Sequence, residues 1–237
     1  MYKNYIFDLY GTLIDIRTDE MSDSVWDEFA KWLTDRGMEY TGKEVRLLYD
    51  AKAKELQNMP TEFTVQEIDI IPVFEAILRS KKPEATDEEV WEAGEQFRII
   101  STSFIELYPN TKKVLEGLKA AGKKVYLLSN AQRVFTWQEL ESTGILEYFD
   151  DIFISSDKSC KKPDIEFYKM LMKKHNLKVE ESIMIGNDST TDIAGATALG
   201  MDGLYIKTEI SPVDDPLPDC KYAFPDGDIG HVLDIIK

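Results

Sequence analysis

The sequence predicts an α/β fold: a Rossmann-like parallel sheet whose chain is interrupted, after the first strand, by an all-helical insertion. Three observations predict it. Short apolar runs end in polar or glycine residues, amphipathic stretches separate the later runs, and residues 16–104 show helical patterns with no strand among them. Strands alternating with helices give a parallel sheet. Runs that are apolar throughout, rather than alternating, belong to a sheet covered on both faces.

The first run, Tyr5-Ile6-Phe7, stops at an acid in "YIFDLYGTLID". The insertion follows. Val25, Phe29, Trp32 and Leu33 fall on one helical stripe, and Val45, Leu48 and Leu56 on another. "NMPTEF" (58–63) and "SKKPEATDEE" (80–89) are proline turns. In the second, Thr86 followed three residues later by Glu89 makes a capping box at a helix start. The aromatics Trp26, Trp32 and Phe63 are expected in the insertion's own core. After it, Val114, Leu115 and Leu118 share a face of a helix over 111–121, with "AGK" as a glycine stop. Strands follow at "KVYLLSN" (124–130) and "DIFISSD" (151–157), then an apolar helix over 164–175 carrying Ile165, Phe167, Tyr168, Met170, Leu171 and Met172. "SIMIGND" (182–188) and "GLYI" (203–206) complete the sheet. The expected division is a core of residues 1–15 and 105–237 and a helical cap of residues 16–104, joined near 14–19 and 102–109.

Bulk properties narrow the function. At 237 residues with 43% hydrophobic content, the chain can bury a sizeable core. A formal charge of −16 argues against nucleic acid as a partner, because phosphate backbones call for a basic surface. No apolar run approaches the roughly 20 residues of a membrane helix, and the N-terminus lacks a basic-then-apolar signal pattern. Cys160 and Cys220 have no CxxC or histidine spacing, so neither a disulfide framework nor a zinc site is expected. A cytoplasmic location is the default.

Ligands on such sheets bind beyond the carboxyl ends of the strands. Four polar clusters close four of these strands: Asp8 with Tyr10 and Thr12; Ser129-Asn130; Lys161-Lys162-Pro163; and Asn187-Asp188 with Asp192. Singly, each reads as a turn, a helix cap or a solvated lysine pair. In order, on successive ends of one sheet, they make chemical sense together. A carboxylate can attack an electrophilic centre. A hydroxyl and an amide can hold the oxygens of a transferring group, and a lysine can neutralise its charge. A second carboxylate across the site can hold Mg²⁺.

At these residues the chain resembles the haloacid dehalogenase superfamily of hydrolases. "FDLYGTLID" is similar to its first motif, "LLSN" to the second, "KKPDIEFY" to the third and "IGNDSTTDIAGATALG" to the fourth. The insertion directly after the first motif resembles the mobile helical cap of one subfamily, whose closure excludes water. The resemblance implies Asp8 as nucleophile, with Thr12 in the turn beside it. Ser129 and Asn130 would hold the transferred group. Lys162, ahead of Lys161, would be the charge-neutralising lysine. Asp188 would ligate Mg²⁺ together with Asp8 and the backbone carbonyl of Tyr10. Asn187 stands where an acid is common, and Asp192 either ligates or orients the loop.

Tyr10 departs from the family's phosphatases, in which an aspartate at this place protonates the leaving oxygen and then activates water. A tyrosine here resembles the dehalogenase branch, in which halide leaves without a proton and no metal is needed. Tyr168 also resembles that branch, but an ordinary core or edge aromatic in that helix is the weightier reading. Asp188 points the other way, since a carboxylate there suits a cation and repels a haloacid. A dehalogenase would also need a cation from the cap, for which Arg17, Arg36 and Arg46 are candidates. Three readings follow: a Mg²⁺-dependent phosphatase of a small phosphorylated metabolite, a metal-free 2-haloacid dehalogenase, and a binder of phosphorylated ligands with little catalysis.

Overall fold

The computed structural model describes residues 1–212 and 217–236. Its centre is a six-stranded, all-parallel sheet in the order β5-β4-β1-β6-β7-β8. The strands are β1 (Asn4–Phe7), β4 (Lys124–Ser129), β5 (Asp151–Ile154), β6 (Ser182–Gly186), β7 (Asp202–Ile206) and β8 (Tyr222–Phe224). The period-2 alternation explains the continuous apolar runs. Tyr5 and Phe7 of β1 pack with Val114, Leu115 and Leu118 of α5 (Thr111–Ala120). Ile6, between them, points to the other layer, among Phe167, Tyr168 and Leu171 of α7 (Ile165–Lys174). The chain grows outward from β1 to β4 and β5, then returns to β1's other side at β6. That reversal opens a crevice at the carboxyl end of β1, where Asp8 follows Phe7.

Between β1 and α5 lie four helices: α1 (Asp23–Thr34), α2 (Gly42–Gln57), α3 (Ile71–Lys81) and α4 (Asp87–Ser101). They close on a core of their own that includes Trp26, Phe29, Leu33, Val45, Phe74, Ile77 and Phe97. Val134 and Phe135, from α6 (Arg133–Thr143) beside the sheet, complete it. The capping box at α4 is present: Glu89 N–H donates to Thr86 Oγ1 at 3.2 Å and Thr86 N–H to Glu89 Oε2 at 2.9 Å. A second, at Thr41 and Glu44, starts α2. Among the described residues, no helix is long and apolar enough to cross a membrane.

Three expectations need correction. The range 16–104 is not helical at its ends. Ile14–Thr18 (β2) and Thr102–Leu107 (β3) form a separate antiparallel ribbon with Ile14 opposite Leu107 and Ile16 opposite Ile105. "IDIRT" and "TSFIEL" alternate, so Ile14, Ile16, Ile105 and Leu107 pack on the sheet's core while the residues between face outward. The ribbon pairs with neither edge of the large sheet. On α2, Leu48 is exposed; the buried face runs instead through Val45, Tyr49, Ala53 and Leu56. Phe63 does not join the helical core but packs on the α7 layer. It precedes a strap that docks on the core. Thr64 N–H and Oγ1 donate to Asp164 Oδ2 at 2.8 Å, and Lys161 N–H donates to Val65 O at 3.1 Å.

Candidate active site

Asp8 sits at the carboxyl end of the central strand, its N–H bonded to Ile185 O of β6 at 2.9 Å. The loop that follows must fold back tightly. Gly11 lies at φ +83°, and a Cβ there would overlap the side-chain amide of Asn187. A left-handed backbone in so close an approach calls for glycine. Thr12 Oγ1 lies 3.5 Å from Asp8 Oδ2 and 3.3 Å from Asn187 Oδ1, so Thr12 is buried beneath Asp8. Thr208 Oγ1 donates to Gly11 O at 2.8 Å and braces the same loop from β7's side.

Lys162 is the lysine that reaches Asp8. Its Nζ lies 2.5 Å from Asp8 Oδ1 and 2.7 Å from Asp192 Oδ1, with 1% of its side chain exposed. Lys161 turns away to Glu67, at 3.6 Å. Burial works against the Lys162 charge, but Asp192 and Asp8 overcome it and hold the ammonium above its ordinary value. Asp192 Oδ2 also accepts the Asp188 N–H at 3.1 Å. Asp192 is therefore the lysine's counter-ion and the anchor of the fourth loop. Gly186 makes this possible, because a Cβ there would overlap the Asp192 carboxylate. Tyr168 pins the loop from below, its hydroxyl 3.0 Å from the carbonyls of Thr191 and Asp192.

The Ser129-Asn130 pair divides its work. Asn130 Oδ1 accepts the Lys162 N–H at 2.8 Å and its Nδ2 donates to Lys162 O at 3.0 Å. The amide clamps the backbone of Lys162, a role different from the expected contact with a transferred group. Ser129 Oγ is fully buried and has no hydrogen-bond partner among the described residues. Such a group costs about 1–3 kcal/mol until something bonds it.

Asp8, Tyr10, Asn130, Lys162, Asn187, Asp188 and Asp192 line one cavity of about 340 Å³. Asp188 is half-buried, and its Oδ1 accepts N–H bonds from Thr190 at 2.7 Å and Thr191 at 3.1 Å. Three carboxylates thus share the cavity with one lysine, which pairs with two of them, Asp8 and Asp192. Among the described residues, no three acidic, histidine or cysteine side chains form a ready-made cation cluster. A cation here would draw on Asp8, Asp188 and a backbone carbonyl.

Tyr10 turns its side chain out of this group. Its hydroxyl bonds to Glu139 and lies 3.0 Å from Thr136 Oγ1, both on α6. Burial first, then the Glu139 carboxylate, push its phenol far above its ordinary value. Arg98 of α4 covers the ring at 5.6 Å and bonds Glu139 through Nε at 2.6 Å and Glu20 through Nη1 at 3.1 Å. Arg98 and Glu139 escaped the sequence reading. The arginines singled out there lie elsewhere: Arg36 pairs with Glu92, Arg46 with Asp23, and Arg17 with Asp15.

Comparison with known proteins decides the family. A haloacid dehalogenase-like hydrolase model matches residues 2–200, which include Asp8, Tyr10, Asn130, Lys162, Asp188 and Asp192. The chain belongs to the haloacid dehalogenase-like hydrolase family. A glyceraldehyde 3-phosphate phosphatase of Methanothermobacter thermautotrophicus is 30% identical over 112 residues, 47% of this chain. The match spans half the length of that relative. A phosphoglycolate phosphatase of Vibrio cholerae is 28% identical over 239 residues, covering 99% of this chain and 96% of that one. A crystal structure described as a predicted phosphoglycolate phosphatase from Haemophilus somnus superposes with a TM-score of 0.61 at 19% identity. It covers 100% of this chain and 98% of that one, and shows the shared fold. Within this hydrolase family, the four strand-end clusters of the chain converge on Asp8.

Proposed function

We propose that this chain is a Mg²⁺-dependent phosphatase of a small phosphorylated metabolite, with Asp8 as the nucleophile and the four-helix insertion as its cap. The observation that carries the reading is Asp8, held 2.5 Å from a buried lysine at the carboxyl end of the central strand, in a cavity it shares with Asp188. The curated phosphatases among its relatives support the same reaction class.

The residues fit Mg²⁺. Carboxylate and carbonyl oxygens are the ligands it takes, and it keeps few protein ligands beside substrate phosphate and water. Asp8, Asp188 and the Tyr10 carbonyl would hold it. When bound, the ion would neutralise charge on the phosphate ester beside Asp8.

The chain's own residues do the rest. A carboxylate oxygen of Asp8 attacks phosphorus, the bond from phosphorus to the leaving oxygen breaks, and the phosphoryl group rests on Asp8. Water then attacks that group, releasing inorganic phosphate and restoring the carboxylate. Lys162 faces the developing charge and Asp192 keeps it in line. Ser129 Oγ, unbonded among the described residues, donates to a phosphoryl oxygen. Tyr10 supplies no proton to the leaving oxygen, because its hydroxyl is committed to Glu139 and its phenol is far too weak an acid. The leaving oxygen takes its proton from solvent.

The test is phosphate release across a panel of phosphate monoesters, with Mg²⁺ and after chelation, for the wild type and Asp8→Asn. The reading expects turnover that needs both Mg²⁺ and Asp8. Metal-independent halide release from 2-haloacids would establish the dehalogenase reading instead. Ligand binding without turnover would establish the binder.

A further inference from the structure

A second cavity, of about 420 Å³, meets the Asp8 cavity at Tyr10 and Asn130, which line both. Its size lies within the ordinary range of small-molecule sites. The insertion supplies Glu20, Tyr49, Gln57, Glu67 and Arg98 to its wall together with three apolar residues, and the sheet domain supplies the rest. An ester bound with its phosphorus against Asp8 would place its alcohol portion here.

The charge of this wall is lopsided. Arg98 is the one cation among the described lining residues, and two carboxylates already hold it: Glu139 at 2.6 Å and Glu20 at 3.1 Å. That trio carries a net negative charge. Glu67 accepts the Ser155 hydroxyl at 3.1 Å and has Lys161 at 3.6 Å, beyond direct hydrogen-bond reach. A carboxylate or second phosphate on the leaving group would therefore face Glu20 and Glu67 with no unspent cation among the described lining residues. Like charges set against each other weaken binding and select against such a group. Hydroxyl groups face no such penalty, because carboxylates accept them and the amide of Gln57 lines the same wall.

We infer that the substrates are phosphate monoesters of uncharged polyhydroxy alcohols, such as a sugar or polyol, and that Glu20 is a specificity residue excluding anionic leaving groups. The inference rests on the phosphatase reading above and narrows its substrate class.

The test compares kcat/KM with Mg²⁺ for glycerol phosphate, 2-phosphoglycolate and phenyl phosphate. The first two are both alkyl esters, so their ratio is insensitive to leaving-group protonation. Glycerol phosphate should lead phosphoglycolate by at least about tenfold, and in Glu20→Gln that ratio should fall by about tenfold, chiefly through KM for phosphoglycolate. A ratio taken within one preparation is independent of how much of the variant folds. Phenyl phosphate reports the chemistry alone. If it is hydrolysed while phosphoglycolate matches or exceeds glycerol phosphate, the charge inference is overturned and the phosphatase reading stands. An unchanged ratio in Glu20→Gln removes Glu20 from its role. No phosphate release from any of the three removes both readings.

Discussion

Arg98→Met tests the joint between the helical insertion and the sheet domain. Arg98 and Glu139 come from different parts of the chain, 41 residues apart, and bury their charges with 10% and 6% of their side chains exposed. Removing the guanidinium leaves the Glu139 carboxylate buried with, among the described residues, only the Tyr10 hydroxyl as a polar partner beyond its own helix. Breaking one side of such a pair costs about 3–5 kcal/mol, whereas replacing both sides with well-packed apolar residues is often neutral. The double variant Arg98→Met/Glu139→Leu should therefore recover most of what the single variant loses, while Tyr10 keeps Thr136 as a partner at 3.0 Å. Urea unfolding of the wild type, both single variants and the double variant gives the coupling energy directly. At higher salt the coupling should persist, since buried pairs are screened little. A single-variant cost under about 1 kcal/mol, the scale of an exposed pair, would refute the description of this contact as a buried strut.

Two further outcomes follow from the site. Asp188→Asn should weaken Mg²⁺ dependence, raising the Mg²⁺ concentration for half-maximal activity by at least about tenfold, while Asp192 still holds Lys162; titration of activity with Mg²⁺ reads it, and an unmoved midpoint would show that Asp188 is no ligand. Tyr10→Asp places a carboxylate two residues after the nucleophile and should raise alkyl phosphate hydrolysis more than aryl, toward the roughly 10²–10⁴-fold that general acid catalysis provides; equal loss on both ester classes would mean that the Tyr10–Glu139 contact outweighs the gain.

The sheet was readable because parallel strands buried on both faces announce themselves as apolar runs, and five of the six strands do so. Tyr222–Phe224 is three half-buried residues at an edge and gives no such run. The ribbon was hidden for a different reason. Ile14–Thr18 and Thr102–Leu107 are short, buried on one face and adjoin helices, so their alternation is too brief to stand out. Helix α6 lacks a clear stripe because it is packed from two directions, with Val134 and Phe135 toward the insertion and Leu140 toward the sheet. In the site, Asp8 could be singled out at its strand end, and Lys162 over Lys161 from the resemblance of "KKPDIEFY" to the family's third motif. Asn130's grip on Lys162 could not, because its partner there is backbone. Nor could the meeting of Arg98 with Glu139, since each is an ordinary charged residue in an ordinary helix until the fold buries both.

The central claim is that a phosphoryl group passes through Asp8. Rapid acid quenching of the enzyme during turnover of acetyl phosphate with Mg²⁺, followed by peptide mass spectrometry, tests it most directly. The account predicts one phosphoryl group on the peptide that contains Asp8, absent in Asp8→Asn. Steady phosphate release with that peptide unmodified at every quench time, or with the group on another residue, would contradict it.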